Sequence, residues 1–530
     1  MTTYRPAQPP PSGSVSAGSA DSADQRSLRR NSMSTGHIVF FVVAAAAPLT
    51  VVGSLFSVIV GIGNGDGIAG AFVLVAAILL VFAVGYVAMS RHIVDAGDFY
   101  AFVSIGLGRP PGLGAAGLAI FAYTAIQLGL YGAFGYYAHS FFGNHFHLAL
   151  TWWAWAFIAM ALCLVLGVRR IDLGAKVMGV LLIAETLSIV VVDVAIILHG
   201  GNGGNGGHGF SFSPFSPSTT FSGAIGVAVM FCHASFVGFE GTAIYGEESH
   251  DPTKSVPRAT YIAVLFMGFF YAITAWLVIN AFGPGLAVKA AQDDPEGFFF
   301  TIGQRMVGNG MQTLLSLLIV TSMFAAIVAF HNNVARYFFA LGRQRILWQR
   351  LGQTHSTRQS PWVACCVQTV LAFVVVLGFA LAGRDPFLDL FTWLTGIGAV
   401  GVILLQSMAG VAIIVFFRKT NLDRRVWNTL IAPITSLAGL LTLLFFAFKN
   451  LTTLVGAKGA IANTLLGCVL GAFAIGLVAA LVLRRRSPAT YQRLGARLQS
   501  EAAATDHSPL AASYGQPRTP TAAEPEKILD

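Results

Sequence analysis

Glu240 is the residue whose position most demands a chemical explanation. It sits between Gly238 and Gly241 in the run Phe231 to Arg258, FCHASFVGFEGTAIYGEESHDPTKSVPR, deep in an apolar segment that starts near Phe221. A carboxylate at the centre of a bilayer-crossing helix costs roughly 2.5 to 3.5 kcal/mol on insertion scales, so such a group faces a cavity, a partner or a transport path. Each glycine weakens a helix by about 1 kcal/mol relative to alanine, and this pair lets the segment unwind around Phe239 and Glu240 and bare backbone groups to a ligand. Burial disfavours the charged form of a carboxyl, which makes Glu240 a candidate for loading and releasing a proton. A plain hydrogen bond between helices is the competing role.

A second interruption matches it. In the first apolar run, AAAAPLTVVGS places Pro48 and Gly53 inside an otherwise continuous segment, and proline removes a backbone donor and clashes with the preceding turn. Paired interruptions in two halves of a membrane protein point to a transport site, because a half-helix start offers amides and a half-helix end offers carbonyls. An amino acid zwitterion fits that polarity. Its carboxylate is expected near the amides of Val51 to Gly53 and Gly238 to Glu240, beside Thr50, and its amino group near the carbonyls of Ala45 to Pro48 and Ala234 to Phe236. Phe231, Phe236 and Phe239 then pack over the side chain or gate it, unless they pack only against other helices. Thr321 and Ser322 offer hydroxyl oxygens of the kind a sodium ion takes, although such groups also bond their own helix carbonyls. His233 and His331 belong to the residue type that titrates near neutral pH, and a satisfied buried histidine is the commoner case.

SFVGFEG, then EE, then DPTKSVPRAT at the head of the next apolar run resembles the sixth helix and following loop of amino acid permeases in the amino acid/polyamine/organocation superfamily. The resemblance implies an all-helical fold of the bacterial leucine transporter type. That fold has five plus five helices in inverted repeat with helices 1 and 6 broken, two more helices appended, and moves amino acids or related amines. It also implies that Gln127 contacts substrate, with a structural hydrogen bond to another helix as the alternative, and that Glu185 falls near a position where several cation-independent relatives carry a lysine in place of sodium. Glu185 is therefore a second proton-coupling candidate. Two departures stand out: Pro-Leu-Thr-Val-Val-Gly replaces the Gly-rich run many members carry in the first helix, and Ala234 replaces the bulky aromatic that arginine-handling relatives place six residues before the glutamate.

These residues need a membrane framework. With 55% hydrophobic and 10% charged residues and a mean hydropathy of +0.70, the 530-residue chain is unlike a soluble protein, whose charged share is nearer a quarter. About 12 apolar runs reach the ~20 residues a span requires, with approximate limits 38–60, 68–90, 112–138, 149–168, 176–198, 221–246, 259–281, 311–334, 362–382, 390–417, 428–448 and 463–483. Alternate connections and the two ends collect 24 cations against Lys289, Arg305, Arg384, Lys449 and Lys458 on the other side. That asymmetry puts both termini in the cytoplasm of a plasma-membrane protein and accounts for the +9 net charge, which removes the case for nucleic acid. The expected organisation is a disordered tail at 1–35, a transporter domain at 36–486, and a second tail at 487–530. Within the domain, repeats occupy about 36–200 and 218–418 and the extra helices about 426–486. DAGDFYAFVSIGLG at 95–108 resembles the amphipathic cytoplasmic stretch of the family, DPTKSVPR is expected to turn the chain back to water, and 282–307 to form an external cap.

The glycine-rich stretch at 200–209 has no preceding strand and no Gly-Lys-Ser/Thr, so it reads as an external linker rather than a phosphate loop. The five cysteines lack metal spacing, and no nucleophile with a base and no cofactor fingerprint occurs in the spans. The expectation is a secondary transporter of amino acids, with protons or sodium as co-substrate and without cofactor, bound metal or enzymatic activity. A sodium-independent exchanger, an amine or polyamine permease, and an amino acid sensor or channel are the alternatives; a sensor would carry a folded signalling domain in its tails. Oligomeric state is left open. Cysteine substitutions in 200–209 should react with an impermeant thiol reagent applied outside, and Ser255→Cys and Arg350→Cys should not; the reverse pattern would overturn the orientation.

Overall fold

Among the described residues every regular element is helical, and the lone strand-like contact is a single bridge between Met33 and Ser249. The computed structural model describes residues 33–93, 97–168, 171–201, 209–283, 285–356 and 360–493, with backbone alone for 171–178, 247 and 493. The expected tails fall almost entirely outside the described residues. So do Asp95 and Ala96, Arg169 and Arg170, Arg358, and most of the glycine-rich linker.

Among the described residues ten helices are long and apolar enough to cross a membrane: Thr35–Ile62, Gly65–Ser90, Arg109–Phe146, Gly179–Leu198, Pro252–Phe282, Asn309–Arg343, Trp362–Leu381, Pro386–Thr420, Trp427–Lys449 and Gly459–Arg486. Two shorter apolar helices, Trp152–Val168 and Ile225–Ala234, fall where the fourth and sixth spans were expected. Numbered in chain order with those two included, the segments run from first to twelfth. Their outward faces are apolar, unlike those of a soluble bundle. The fifth segment turns Val180, Ile183, Leu187, Val191, Val194 and Ile197 outward and keeps Glu185, Ser188 and Asp193 inside. Hydrocarbon accepts the first set at no cost, and buried polar groups need protein partners.

The third segment is the central post. Its 38 residues span about 57 Å at 1.5 Å per residue, well beyond the ~30 Å hydrocarbon thickness, and it packs on the eighth, tenth and twelfth segments. Close approach there depends on missing side chains: a Cβ on Gly117 would lie 2.5 Å from the Ala472 carbonyl oxygen. Small residues are what let membrane helices pack backbone to backbone.

One expectation is corrected. DPTKSVPR is not a turn but the opening of the seventh segment, which starts at Pro252 and carries Pro257 inside it. Pro252 occupies a first-turn position where no N–H is needed, and the bond that Pro257 forgoes belongs to a carbonyl at the solvent-facing helix start. Within the stretch at 95–108 a helix forms at Phe99–Gly106, and its residues Phe99 to Ser104 are all buried. Residues 282–307 form two short helices, Leu286–Asp293 and Phe298–Met306.

At the end of the bundle where the first segment begins, the chain is tied shut. Met33 N–H donates to the Glu248 carbonyl and His250 N–H to the Met33 carbonyl, each at 3.0 Å. Beside them the Arg336 guanidinium forms a buried pair with Glu248 at 2.8 Å and lies 4.6 Å from the Tyr245 ring centre, which itself stacks on Phe41. Breaking one side of a buried pair costs about 3–5 kcal/mol, because the partner charge is stranded. Arg336→Met should therefore lower the thermal unfolding midpoint in detergent markedly, with much of the loss recovered in the Arg336→Met/Glu248→Met double variant. Equal loss in single and double variants would show that the pair is not the source of the effect.

Candidate functional site

Both interrupted segments are broken in the structure, each for its own local reason. In the first, Pro48 has no N–H to continue the ladder and its ring disfavours the α region for the preceding residue; Ala47 caps the first piece with a left-handed φ of 48°, and a new helical piece starts with proline in its first turn. Ala47 N–H donates to the carbonyls of Val43 and Ala44, and Val51 N–H to the carbonyl of Ala47. The unclaimed first-turn amides are thus Leu49 and Thr50, one turn before the expected Val51 to Gly53, which lie in a following π-turn at Val51–Leu55.

In the sixth segment the helix ends at Ala234, six residues run as irregular turns, and a short helix resumes at Gly241–Ile244. Gly238 makes this possible. Its φ is +121°, and a Cβ there would sit 2.9 Å from the Ala45 Cβ of the first segment's break. The break is closed by side chains: Gly238 N–H donates to Glu240 Oε2 at 3.1 Å, Tyr123 OH donates to Glu240 Oε1 at 2.9 Å, and the Tyr86 hydroxyl lies 2.6 Å from the Glu240 carbonyl. The Gly238 amide expected to meet a substrate carboxylate is already held by Glu240.

Between the breaks lies a small cavity of about 50 Å³. Ala45, Ala46, Ala47, Thr50 and Val51 line it from the first segment, Ala234 and Val237 from the sixth, Ile126 and Leu130 from the third, Ala326 and Phe330 from the eighth, and Phe391, Thr395 and Ala399 from the tenth. Among the described residues no charged side chain lines it, and Thr50 and Thr395 supply its hydroxyl groups. A larger vestibule of about 380 Å³ adjoins it, shares Leu55, Ala234, Phe391 and Thr395 with it, and reaches Gln292 and Glu296 beside the short helices. Tyr136 OH donates to Glu296 there.

Of the residues singled out from sequence, Thr50 and Val51 line the cavity and Phe231 the vestibule. Pro48 starts the helical piece, and Gly53 faces Ile319 and Phe300 instead. Phe236 packs edge-on to Tyr271 and Phe239 edge-on to Phe82, away from both cavities. Gln127 sits in a buried polar network, accepting from Gln368 at 2.7 Å with its amide 3.3 Å from His331 Nδ1. His233 bonds Gln406 at 2.9 Å.

Glu240 and Glu185 differ. Both Glu240 oxygens accept hydrogen bonds, whereas Glu185 lies against the Ser322 hydroxyl, near Tyr271, with Oε2 lacking a protein partner. Ser322 Oγ is in turn 3.3 Å from Thr50 Oγ1, which joins Glu185 to the first segment's break. Thr321 turns back to its own helix and donates to the Leu318 carbonyl. Among the described residues no group of three or more His, Cys, Asp or Glu side chains could hold a metal ion.

Three residues escaped the reading of the sequence. Thr395 lines both cavities and its Oγ1 has no partner; an isolated threonine in an apolar run gives no signal. Asp193 accepts from Thr274 at 2.7 Å inside the fifth segment, and Asp98 is fully buried in the linker between the second and third segments. A charged residue in or beside an apolar run was the available signal for both.

The family described as amino acid permease matches residues 35–482. The chain is 25% identical over 229 residues to the human large neutral amino acids transporter small subunit 2, covering 42% of this chain and 38% of that protein. It is 23% identical over 227 residues to the mouse Asc-type amino acid transporter 1, covering 42% and 39%. It is also 23% identical over 179 residues to the uncharacterized amino acid permease YecA of Bacillus subtilis (strain 168), covering 33% and 38%. The matched stretches thus span about two-fifths of each relative.

Gly238→Ala should destabilise the protein by about 1–3 kcal/mol, the cost of forcing a side chain into that backbone conformation, read as a lower unfolding midpoint in detergent. Ala45→Gly in the same chain should relieve only the contact and not the backbone strain. Wild-type stability for Gly238→Ala would mean that the sixth segment need not be broken at this residue.

Proposed function

The chain belongs to the amino acid permease family, and on that premise we propose that it is a secondary transporter carrying neutral amino acids by alternating access, through the cavity between its two broken segments, with protons as co-substrate. The observation that carries this reading is the cavity itself, bounded by two helix breaks and free of charged side chains. The ammonium group of a substrate is held by the last carbonyls of the first helical piece, Ala45 and Ala46, and its carboxylate by the opening amides Leu49 and Thr50. Its side chain meets alanines, aliphatics, Phe330 and Phe391, which offer no partner to a charge. The names of the human and mouse relatives agree with an amino acid substrate, and the human one with a neutral one.

Twelve spans in a five-plus-five inverted repeat, about 36–200 and 218–418, with the last two segments appended and both termini in the cytoplasm, complete the proposal. The paired breaks and the cation asymmetry support it. Glu185 is the coupling group in this reading. It touches the eighth segment through Ser322 and reaches the first segment's break through Thr50, so its charge is felt where the substrate binds. The same oxygens, a carboxylate and hydroxyls, also suit sodium, which makes sodium coupling the second reading.

Purified protein in proteoliposomes should accumulate radiolabelled neutral amino acids when the outside is made acidic, since inward proton flow then drives uptake. Lysine and glutamate should compete poorly. Glu185→Gln keeps the shape of the side chain and removes its titration, so it should still equilibrate substrate but lose acceleration by external acid. Uptake driven by a sodium gradient alone would replace the proton reading. Equal competition by decarboxylated amines would remove the carboxylate half of the site and favour an amine permease, and uptake only against preloaded substrate would identify an exchanger.

A further inference from the structure

The hydroxyl oxygen of Tyr86, fully buried in the second segment, lies 2.7 Å from Asp98 Oδ1 and 2.6 Å from the Glu240 carbonyl oxygen. Both are hydrogen-bond distances for oxygen pairs, and each needs a proton between its atoms. A phenol supplies one and a carbonyl supplies none. Tyr86 therefore donates to the Glu240 carbonyl, and the proton between Tyr86 and Asp98 comes from the carboxyl. Glu240 has donors of its own for both side-chain oxygens, Tyr123 OH and Gly238 N–H, and its side chain is not a partner in either short contact of Tyr86.

The surroundings agree. Among the described residues Asp98 Oδ2 has no side-chain partner, the Phe99 N–H faces the carboxyl, and the titratable groups around it are Tyr86 from the second segment, Tyr123 from the third and Glu240 from the sixth, with Tyr337 of the eighth beside the two tyrosines. None of these is a cation. Lys419, from the tenth segment, reaches the Gly106 carbonyl at 3.5 Å, eight residues further along the linker helix and about 12 Å away at 1.5 Å per residue. His92 packs its ring on Phe416 and Phe417, and Arg91 is exposed. A buried carboxylate with one oxygen unpaired, no cation and a second carboxylate nearby is a costly arrangement, and a neutral carboxylic acid is not.

We propose that Asp98 is a proton-binding site, occupied in this state, whose proton fastens the linker helix Phe99–Gly106 to the break in the sixth segment. When the Asp98 carboxyl gives its proton to water, the carboxylate becomes the stronger acceptor. The Tyr86 proton then turns from the Glu240 carbonyl to Asp98 Oδ1, and the break loses a bond that closes it. Asp98 thus links proton binding on the linker to the geometry of the sixth segment, independently of the substrate cavity and of Glu185.

Infrared spectroscopy of the full-length protein in nanodiscs, without substrate, tests this directly through the C=O stretching band of protonated carboxyls. Asp98→Asn, whose amide can donate to Tyr86 as the acid does, should fold and lose one component of that band, and Glu240→Gln should keep the component. Tyr86→Phe removes the acceptor and should shift the same component without abolishing it, which provides the test if Asp98→Asn does not fold. Retention of every wild-type component in Asp98→Asn, loss of the component in Glu240→Gln, or an unchanged band in Tyr86→Phe would overturn the assignment. Because no transport is measured, the result is separate from the success or failure of the transport reading.

Discussion

A helix broken inside hydrocarbon must find partners for the backbone groups it releases, and the architecture around this site follows from that requirement. Water is not there to take them, so each unsatisfied N–H or C=O costs several kcal/mol. In the sixth segment the release is absorbed by neighbours: Glu240 takes the Gly238 amide, Tyr86 caps the Glu240 carbonyl and Tyr123 steadies the carboxylate. Ser235 Oγ returns to the Phe231 carbonyl at the helix end. The first segment is treated differently. Proline removes one donor at the break, and Ala45, Ala46, Ala47, Thr50 and Val51 beside it line the small cavity.

The two ends of the molecule are also unlike. At one end the backbone bridge through Met33 and the buried Arg336–Glu248 pair hold the first, sixth and eighth segments together. Toward the other, the cavity is continuous in its lining with the vestibule that ends at Gln292 and Glu296. The cavity is thus bounded toward one end by the contacts of Arg336 and opens in its lining toward the other.

Buried carboxyls of the same chemical type are given different duties by their partners. Glu248 has a guanidinium and is a structural anion. Glu240 has two donors and serves as a staple. Glu185 has a serine and an open oxygen, and Asp98 meets the Tyr86 hydroxyl at 2.7 Å with its second oxygen open. What distinguishes these residues is the number and kind of their polar neighbours.

The sequence by itself determined the class of the molecule and the places where it is interrupted. Hydropathy fixes the spans because length and apolarity are local, and Pro48 and Gly238 fix the breaks because their backbone limits are local too. The family was legible in SFVGFEG and DPTKSVPR for the same reason. Partnership was not legible. Whether Gln127 faced a substrate or His331, whether Thr321 or Ser322 turned toward the fifth segment, and whether the linker at 99–106 lay on a surface or inside the bundle depended on residues 100 to 270 positions away. Thr395 and Asp98 acquire meaning only when the tenth segment meets the first and the second meets the sixth. Side-chain chemistry is set by the nearest donors and acceptors, and in a bundle of long helices those come from distant parts of the chain, so only the tertiary structure could decide which groups each acid meets.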